Sequence, residues 1–253
     1  MSDSPTAPPS AAFASSVIVT GAAGGIGRAC ALAAARAGAA VTLADRDPER
    51  LAAVAAEIGP GALAVPADVT DEAQCVRLVE AAVERHGRID GMVLSAGVAR
   101  HVPLTEMTLR EWQDMLAVHL TSAFLCLREA ARAMTGGGSV VCIASSAAAG
   151  LGPLHQAHYV AAKAGALGLV RAAARELGPA GIRVNAVSPG FTATPMNDGL
   201  FTAEDVRRRE LASPLGRVAN PEDVAAAVTY LLSDATAFTT GQTLHVNGGT
   251  HMP

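Results

Sequence analysis

The chain has 253 residues, of which 50% are hydrophobic and 17% are charged, and its formal net charge is -4 at pH 7. This length accommodates one large α/β domain, and the high apolar share excludes a globally disordered chain. The small negative charge gives no electrostatic footprint for nucleic acid, so we expect no nucleic-acid partner.

The start of the chain, residues 1–14, is rich in Pro, Ser and Ala. It has neither a basic segment nor a long apolar core, which predicts a flexible tail rather than a signal peptide or a membrane anchor. The cysteines are far apart and lack the paired spacing of a zinc or redox site, so we expect buried free thiols in the cytoplasm. They are Cys30, Cys75, Cys126 and Cys142.

From Ser16 onward, short β-branched runs alternate with Ala-rich helical stretches. This alternation is typical of βαβ units, in which helices cover both faces of a parallel sheet. The runs are almost continuously apolar, as expected for strands that are buried on both faces. We predict one doubly wound, Rossmann-type α/β domain over residues 15–253 with a seven-stranded parallel sheet. The predicted strands are 17–20, 41–44, 63–65, 91–95, 139–144, 183–187 and 243–246.

The first predicted strand leads into a glycine-rich turn, residues 21–27, that opens a helix. Glycines permit a tight turn and let a pyrophosphate approach the backbone N–H groups at the helix N-terminus, where the partial positive charge favours an anion. Such a turn also occurs without any ligand, so the turn alone leaves both interpretations open.

Acidic residues follow the second and third strands. Asp47 precedes Pro48 and is a good helix N-cap. Asp45 ends the second strand roughly 20 residues beyond the glycine turn, where an acid binds the adenosine ribose hydroxyls and repels a 2′-phosphate. This favours NAD over NADP, although the adjacent Arg46 softens the preference. Asp68 either forms a polar turn or hydrogen-bonds the adenine.

The chain beyond the fifth strand contains a candidate catalytic set of three residues: Ser146, Tyr159 and Lys163. Tyr159 and Lys163 are four positions apart on one predicted helix, so they share a face. A neighbouring cation and the positive nicotinamide ring favour ionisation of a tyrosine, which makes a general base near neutral pH. Ser146 ends a strand at the ligand-binding edge, and its hydroxyl can hold a substrate oxygen. Taken singly, each has a plainer explanation as a cap, a packing residue or a surface lysine.

Together these motifs resemble the short-chain dehydrogenase/reductase family from Ser16 to the C-terminus. The matching segments are residues 20–27, 68–69, 96–97, 146, 159 with 163, 185–190, 241–242 and 246–249. The resemblance implies an oxidoreductase that transfers a hydride between NAD(H) and a secondary alcohol or ketone, with Tyr159 as general acid/base. It implies that Ser146 orients the substrate oxygen and that Lys163 supports the phenol and binds the nicotinamide ribose. The implied cofactor contacts are Gly21, Gly25, Ile26, Gly27, Asp45, Asp68, Val69, Ala96, Gly97, Tyr159, Lys163, Pro189, Gly190 and Thr194.

Two positions depart from the family pattern. Ser95 precedes Ala96 where the family usually has asparagine, so hydrogen bonds that steady the central sheet must be replaced or lost. His119 stands where a helix asparagine usually helps hold a water for proton relay. We predict that His119 takes over this catalytic role, with a pKa near 6.5 that would let it charge. Packing in the core is the competing interpretation.

The resemblance places the substrate pocket between residues 147–158 and 191–211. An apolar lining there predicts an uncharged ketone or secondary alcohol. The charged run Arg207, Arg208 and Arg209 within the second segment is interpreted as solvated helix surface. His155 and His158 lack a neighbouring carboxylate or thiol, so no metal is expected. The apolar candidates are Leu151, Leu154, Phe191, Met196, Leu200 and Phe201.

Two alternatives remain. One is an NADPH-dependent 3-oxoacyl-[acyl-carrier-protein] reductase. Asp45 argues against it, and so does Ala180, which stands at a position that is often basic in such enzymes. Arg132 remains available for docking of the carrier protein. The other is a non-catalytic dinucleotide-sensing protein, which would not need the three catalytic candidates together. The resemblance also implies a homotetramer that acts on a small molecule. The cysteines predict a cytoplasmic protein, and the lack of an anchor segment predicts no membrane partner.

Overall fold

The computed structural model describes residues 13–148, 152, 154–197 and 201–252. In this part of the chain, seven parallel strands form one sheet, which confirms the predicted fold class. The observed strand ends differ from the predicted ones by no more than two residues. The strands are β1 (Ser16–Thr20), β2 (Ala40–Asp45), β3 (Ala62–Pro66), β4 (Gly91–Leu94), β5 (Gly138–Ile143), β6 (Ile182–Pro189) and β7 (Thr243–Val246).

Helices cover both faces of the sheet. Helices α1, α2 and α8 pack on one face, and α3, α5 and α6 pack on the other. Alternate residues of a strand point to opposite faces. Ile18 therefore packs in the core on the side of α3, α5 and α6, while Val17 and Val19 pack in the core on the side of α1, α2 and α8. The helices are α1 (Gly25–Arg36), α2 (Pro48–Ile58), α3 (Glu72–His86), α4 (Leu109–Leu116), α5 (Ser122–Ala133), α6 (Ala157–Leu177), α7 (Ala203–Ala212) and α8 (Pro221–Leu232).

The sheet order is β3-β2-β1-β4-β5-β6-β7, so the direction of winding reverses between β1 and β4. In open α/β sheets a ligand binds beyond the carboxyl ends of the strands at this switch point. Val17 pairs with both Val41 of β2 and Gly91 of β4, which places the end of β1 at the centre of that edge.

Thr20 links the end of β1 to the segment around Ser95. Its buried hydroxyl accepts hydrogen bonds from the backbone N–H groups of Ser95 (3.0 Å) and Ala96 (3.3 Å) and lies 3.3 Å from the carbonyl oxygen of Val93. The end of β1 is therefore fastened to the segment after β4 without an asparagine side chain.

The last two residues of the predicted tail contact the domain. Phe13 forms an antiparallel bridge with Ser233, and both Phe13 and Ala14 pack against the core beside α1 and α8. The other residues of the predicted tail, 1–12, lie outside the described residues. All four cysteines are buried and free, as predicted. None of the described helices is long and apolar enough to cross a membrane.

Candidate active site and cofactor cleft

An open cleft of about 790 Å³ lies at the carboxyl ends of the strands. Its wall includes segments that follow six of the seven strands, from β1 to β6. The structure brings all the predicted site residues to this one cleft. They are Gly21, Gly25, Ile26, Gly27, Asp45, Asp68, Val69, Ala96, Gly97, His119, Ser146, Tyr159, Lys163, Pro189, Gly190 and Thr194.

The glycine turn leaves no room for side chains at two positions. A Cβ on Gly27 would lie 2.1 Å from the carbonyl oxygen of Gly21. Gly21 has a φ of 67°, and a Cβ there would lie 2.8 Å from Cα of Ala96. The N-cap of α1 is Gly24, no side chain caps the helix, and its first turn contains no acidic residue. The turn therefore fits a pyrophosphate, because the helix N-terminus carries partial positive charge and is open to an anion.

Asp45 is held beside this turn. Its carboxylate accepts hydrogen bonds from the backbone N–H groups of Ala23 (3.1 Å) and Asp47 (3.2 Å). Asp47 accepts from the backbone N–H of Arg50 at 3.1 Å, which confirms its prediction as the N-cap of α2. The two acids thus have different tasks, and only Asp45 is fixed against the glycine turn.

Asp68 has a structural task as well as a place in the cleft. Its Oδ1 atom accepts hydrogen bonds from the backbone N–H (2.9 Å) and the hydroxyl (2.7 Å) of Thr70. Its own backbone N–H donates to Gln74 Oε1 at 2.9 Å. The polar turn is therefore present, and it fixes the carboxylate at the edge of the cleft.

Lys163 is a buried cation held by the main chain. Its Nζ atom donates to the carbonyl oxygen of Ile143 at the end of β5 (2.6 Å), and the residue is only 6% exposed. The same atom lies 5.9 Å from the ring centroid of Tyr159, since both residues are on the first turns of α6. Within the described residues no carboxylate forms an ion pair with Lys163. The ammonium keeps two further N–H donors for a ligand.

The hydroxyl groups of Ser146 and Tyr159 are available to a ligand. Both residues are half-buried in the cleft wall, and neither hydroxyl has a hydrogen-bond partner among the described residues. Ser145 instead supplies the cap, because its hydroxyl accepts from the backbone N–H of Ala147 at 3.2 Å. The plainer explanation of Ser146 as a loop cap is therefore wrong.

His119 lies in a π-helical turn, Ala117–Thr121, between α4 and α5. Its Nε2 atom is 2.8 Å from the carbonyl oxygen and 3.1 Å from the nitrogen of Val98. Its ring meets that of Tyr159 edge to face, with 5.1 Å between the centroids. The Nδ1 atom is buried and has no partner in the described part of the chain. The contacts of Nε2 with Val98 agree with the interpretation of His119 as a packing residue. Nδ1, in contrast, is a buried polar atom without a partner among the described residues, and such atoms usually bind a buried water.

The expectation that His119 charges near pH 6.5 is wrong. Burial, and then the nearby charge of Lys163, lower the pKa of His119 to about 3. The imidazole is therefore neutral throughout the working range of an enzyme. A Cβ on Gly97 would lie 2.6 Å from Cε1 of His119, so the glycine also makes room for this ring.

The loop after β6 closes the cleft opposite the glycine turn. A Cβ on Gly25 would lie 3.4 Å from Cβ of Thr194, so the two segments approach each other closely. Asn185 fixes the base of the loop, because its side chain donates to the carbonyl oxygen of Thr239 (2.9 Å) and accepts from the N–H of Gln242 (3.0 Å). Asn185 is therefore structural.

Only some of the apolar residues that were predicted to line the substrate pocket do so. Phe191, Met196 and Phe201 line it. Leu154 is 80% exposed and is absent from the cleft wall. Leu151 and Leu200 lie outside the described residues. Among the described residues, no group of three or more His, Cys, Asp and Glu side chains is placed to hold a metal.

The arginine run on α7 is not uniformly solvated. Arg207 and Arg208 are exposed, as predicted, whereas Arg209 is half-buried and lines the cleft. Its guanidinium carbon lies 4.2 Å from the ring centroid of Phe201 and 4.7 Å from that of Phe191. The interpretation of Arg209 as helix surface is therefore wrong.

A family model described as enoyl-(acyl carrier protein) reductase matches residues 21–251. The chain is 41% identical to cis-4-hydroxycyclohexanecarboxylate dehydrogenase of Sinomonas cyclohexanicum, over 94% of this chain and 97% of the relative. This protein belongs to the short-chain dehydrogenase/reductase family. It is also 39% identical to the 3-oxoacyl-[acyl-carrier-protein] reductase FabG of Staphylococcus aureus, over 94% of this chain and 98% of that protein.

Solved structures of the family agree with this fold. The crystal structure of a short-chain dehydrogenase/reductase of Brucella melitensis, titled glucose/ribitol dehydrogenase, superposes with a TM-score of 0.92 at 36% identity. The match covers 96% of this chain and 99% of that one. As a short-chain dehydrogenase/reductase, the protein is an oxidoreductase that acts on CH–OH groups, and the family implies a nicotinamide dinucleotide as cofactor.

The structural roles of two residues in or beside the site were missed from the sequence: the hydrogen bonds of Thr20 and the position of Arg209 in the cleft wall. Thr20 is the residue before the glycine turn, and its polar character inside an apolar strand was a usable signal. Arg209 gave no signal of its own, since it is one of three consecutive arginines and only its packing distinguishes it.

Proposed function

We propose that this short-chain dehydrogenase/reductase interconverts a secondary alcohol and its ketone with NAD(H), and that Tyr159 is its general acid/base. The main support is that the hydroxyl groups of Ser146 and Tyr159, which have no partner among the described residues, share one cleft with the buried ammonium of Lys163. The relative with 41% identity is named as a dehydrogenase of a hydroxy compound, which supports an alcohol as substrate.

The proposed mechanism assigns one task to each side chain. The hydroxyl of Ser146 donates a hydrogen bond to the substrate oxygen and positions it. The phenolic oxygen of Tyr159 accepts the hydroxyl proton during oxidation and returns it during reduction. The ammonium of Lys163, fixed by the Ile143 carbonyl, stabilises negative charge on that oxygen. When bound, the nicotinamide supplies the hydride acceptor or donor.

The cofactor would lie along the cleft from the glycine turn to Thr194. The turn would bind the pyrophosphate, Asp45 the adenosine ribose, and Asp68 with Val69 the adenine. Lys163 would bind the nicotinamide ribose, and Thr194 the carboxamide. The remaining proposed contacts are Ala96, Gly97, Tyr159, Pro189 and Gly190.

We predict that kcat/KM is higher with NAD than with NADP, and that Asp45→Asn narrows the ratio by about 10-fold or more. The carboxylate would lie close to a 2′-phosphate, and like charges repel. Asparagine keeps an acceptor for the Ala23 N–H while removing the charge. Initial rates with both nucleotides at a fixed alcohol concentration measure the ratio.

Asp47→Asn is the matched control for this prediction. Asparagine retains the N-cap of α2 and removes a charge only two residues away. The ratio should change little in this variant. The arginines Arg46 and Arg50 also line this part of the cleft. If the wild type prefers NADP, the prediction is wrong, and Arg46 and Arg50 rather than Asp45 determine which nucleotide binds.

We propose that His119 holds a water through its unpaired Nδ1 atom and thereby assists proton transfer. His119→Asn should retain most of the turnover, whereas His119→Leu should lower kcat several-fold without weakening NAD binding. Because the pKa of His119 is about 3, the asparagine variant should also keep the limbs of the pH–rate profile between pH 5 and pH 9. Equal kcat for the wild type and a folded leucine variant would leave His119 a packing residue.

The second candidate is a 3-oxoacyl-[acyl-carrier-protein] reductase that uses NADPH. The relative of Staphylococcus aureus carries this name, and the cleft has two arginines near Asp45 that suit a phosphate. One screen separates the candidates: secondary alcohols with NAD and NADP, against a 3-oxoacyl thioester with NADH and NADPH. We expect alcohol oxidation with NAD. Efficient turnover only of the thioester with NADPH would establish the second candidate.

We propose further that the enzyme is a cytoplasmic homotetramer. Three exposed apolar side chains support a subunit interface: Tyr230 on α8, Phe238, and Leu244 on the edge strand β7. The free thiols of Cys75 and Cys126 lie 3.7 Å apart without a bond, which fits a reducing compartment. Light scattering measures the oligomeric state, and cell fractionation tests the cytoplasmic location.

A further inference from the structure

Helix α7 carries a cation into the substrate end of the cleft. The helix begins with a capping box between Thr202 and Asp205, which fixes its first turn. Arg209 lies two turns further along and packs its guanidinium over Phe191 and Phe201 at 4.7 and 4.2 Å. The two rings are themselves in edge-to-face contact, with 5.0 Å between centroids. The planar group is therefore framed by aromatic rings on one side and borders the cleft that contains Tyr159.

No carboxylate of the described part of the chain forms an ion pair with Arg209. Its Nη1 atom donates only to the backbone carbonyl of Asp205 at 3.1 Å. The carboxylate of Asp205 is already used by the N–H and hydroxyl of Thr202 and by Arg208. Burial lowers the pKa of Arg209, because desolvation disfavours the charged form, and the nearby charge of Asp205 offsets only part of this effect.

Other arginines of the chain show how this differs from a structural ion pair. Arg217 donates through both terminal nitrogens to the carboxylate of Asp223 (2.6 and 2.8 Å), and Arg132 pairs with Glu129. Arg209 has an aromatic platform, but no carboxylate among residues 13–148, 154–197 and 201–252 accepts a hydrogen bond from its guanidinium. A partly buried guanidinium with free N–H groups is a strong binder of carboxylates, because its fork matches the two oxygens.

We propose that Arg209 binds a carboxylate on the substrate, so that the enzyme acts on hydroxy acids and oxo acids rather than on uncharged alcohols and ketones. This inference rests on the proposed function, since it names the substrate class of the same site. The carboxylate lies at the Phe191–Phe201 end, and the reacting carbinol lies at Ser146 and Tyr159. The apolar lining between them contacts the carbon skeleton of the substrate.

Matched pairs of substrates test the proposal. The probes are 4-hydroxypentanoate, 5-hydroxyhexanoate and 4-hydroxycyclohexanecarboxylate, each compared with its primary amide. The amides have the same shape without the charge. We expect the wild type to prefer the best acid over its amide by about 10- to 100-fold in kcat/KM, the range of a hydrogen bond to a charged group. Arg209→Met should reduce that ratio to within about three-fold of unity.

Arg207→Met is the control variant, because Arg207 is an exposed member of the same run and does not line the cleft. It should keep the preference for the acid. Arg209→Gln provides a second neutral variant and should behave as Arg209→Met does. An unchanged acid-to-amide ratio in a folded Arg209 variant, or a wild type without any preference, overturns the proposal.

Binding of cyclohexanecarboxylate, which has no hydroxyl to oxidise, gives a readout that does not depend on turnover. Calorimetry should show binding to the wild type and to Arg207→Met, with an affinity at least about 10-fold weaker in Arg209→Met. If no alcohol or ketone is turned over with either nucleotide, the proposed function fails, and this binding comparison still decides the role of Arg209. Equal binding to all variants overturns the proposal.

Discussion

Tyr159→Phe is expected to lower kcat by a factor of about 10²–10⁴, the contribution of a positioned acid/base. The substitution removes one hydroxyl group that has no partner among the described residues. It leaves the ring, which contacts His119 and lies near the Lys163 ammonium. The nucleotide Kd should therefore stay within about two-fold of the wild type. Steady-state rates and calorimetry measure the two quantities.

Tyr230→Phe is the matched control, since the chain contains two tyrosines and Tyr230 lies exposed on α8. Its kcat should equal that of the wild type. A Tyr159→Phe enzyme with near-normal kcat would remove the phenol from the mechanism. A fall in kcat accompanied by a much weaker nucleotide Kd would instead indicate that the phenol serves binding.

Gly27→Ala is expected to weaken nucleotide binding by about 10-fold or more and to lower the Tm. The new Cβ would lie 2.1 Å from the Gly21 carbonyl oxygen, which is main chain and cannot rotate away. Overpacking of this kind costs about 1–3 kcal/mol, and the turn must open to relieve it. An opened turn no longer presents the helix N-terminus at the same place. Calorimetry with NAD and thermal denaturation measure both effects.

Gly168→Ala separates the local clash from a general effect of alanine. Gly168 is in α6, and a Cβ there meets no atom within 4 Å. Alanine has the higher helix propensity, by up to about 1 kcal/mol, so this variant should be as stable as the wild type or more stable. Unchanged nucleotide binding in Gly27→Ala would contradict the prediction. It would mean that close packing at Gly27 is not needed to bind the pyrophosphate.

The sheet could be predicted because its strands are buried on both faces. Such strands are continuous apolar runs between glycine and proline clusters, and their ends were located to within two residues. The glycine turn, the acid after β2 and the Tyr159–Lys163 pair could also be found, because each depends on spacing along one or two adjacent elements. Local spacing is the information that a single chain carries most clearly.

Arg209 could not be predicted, since its environment depends on aromatic residues up to 18 positions earlier in the chain. Three consecutive arginines point in three directions on a helix, and only tertiary packing decides which one meets Phe191 and Phe201. The neighbouring serines Ser145 and Ser146 posed the same difficulty. They differ by one position, yet Ser145 caps the turn while the hydroxyl of Ser146 has no partner in the part of the chain that the structure describes. The π-helical turn around His119 also has no signature in the apolar pattern.

The two ends of the cleft wall differ in how they are built. Ser146 follows β5, the strand next to the central strand β4, and Lys163 is hydrogen-bonded to the main chain of β5. Helix α7, which carries Arg209, contributes no fully buried residue to either core. Substitutions on α7 therefore cost little folding stability, whereas those beside β5 disturb the core. If Arg209 binds the substrate as proposed, new substrate preferences can arise by drift in α7 while the proposed proton-transfer groups stay in place.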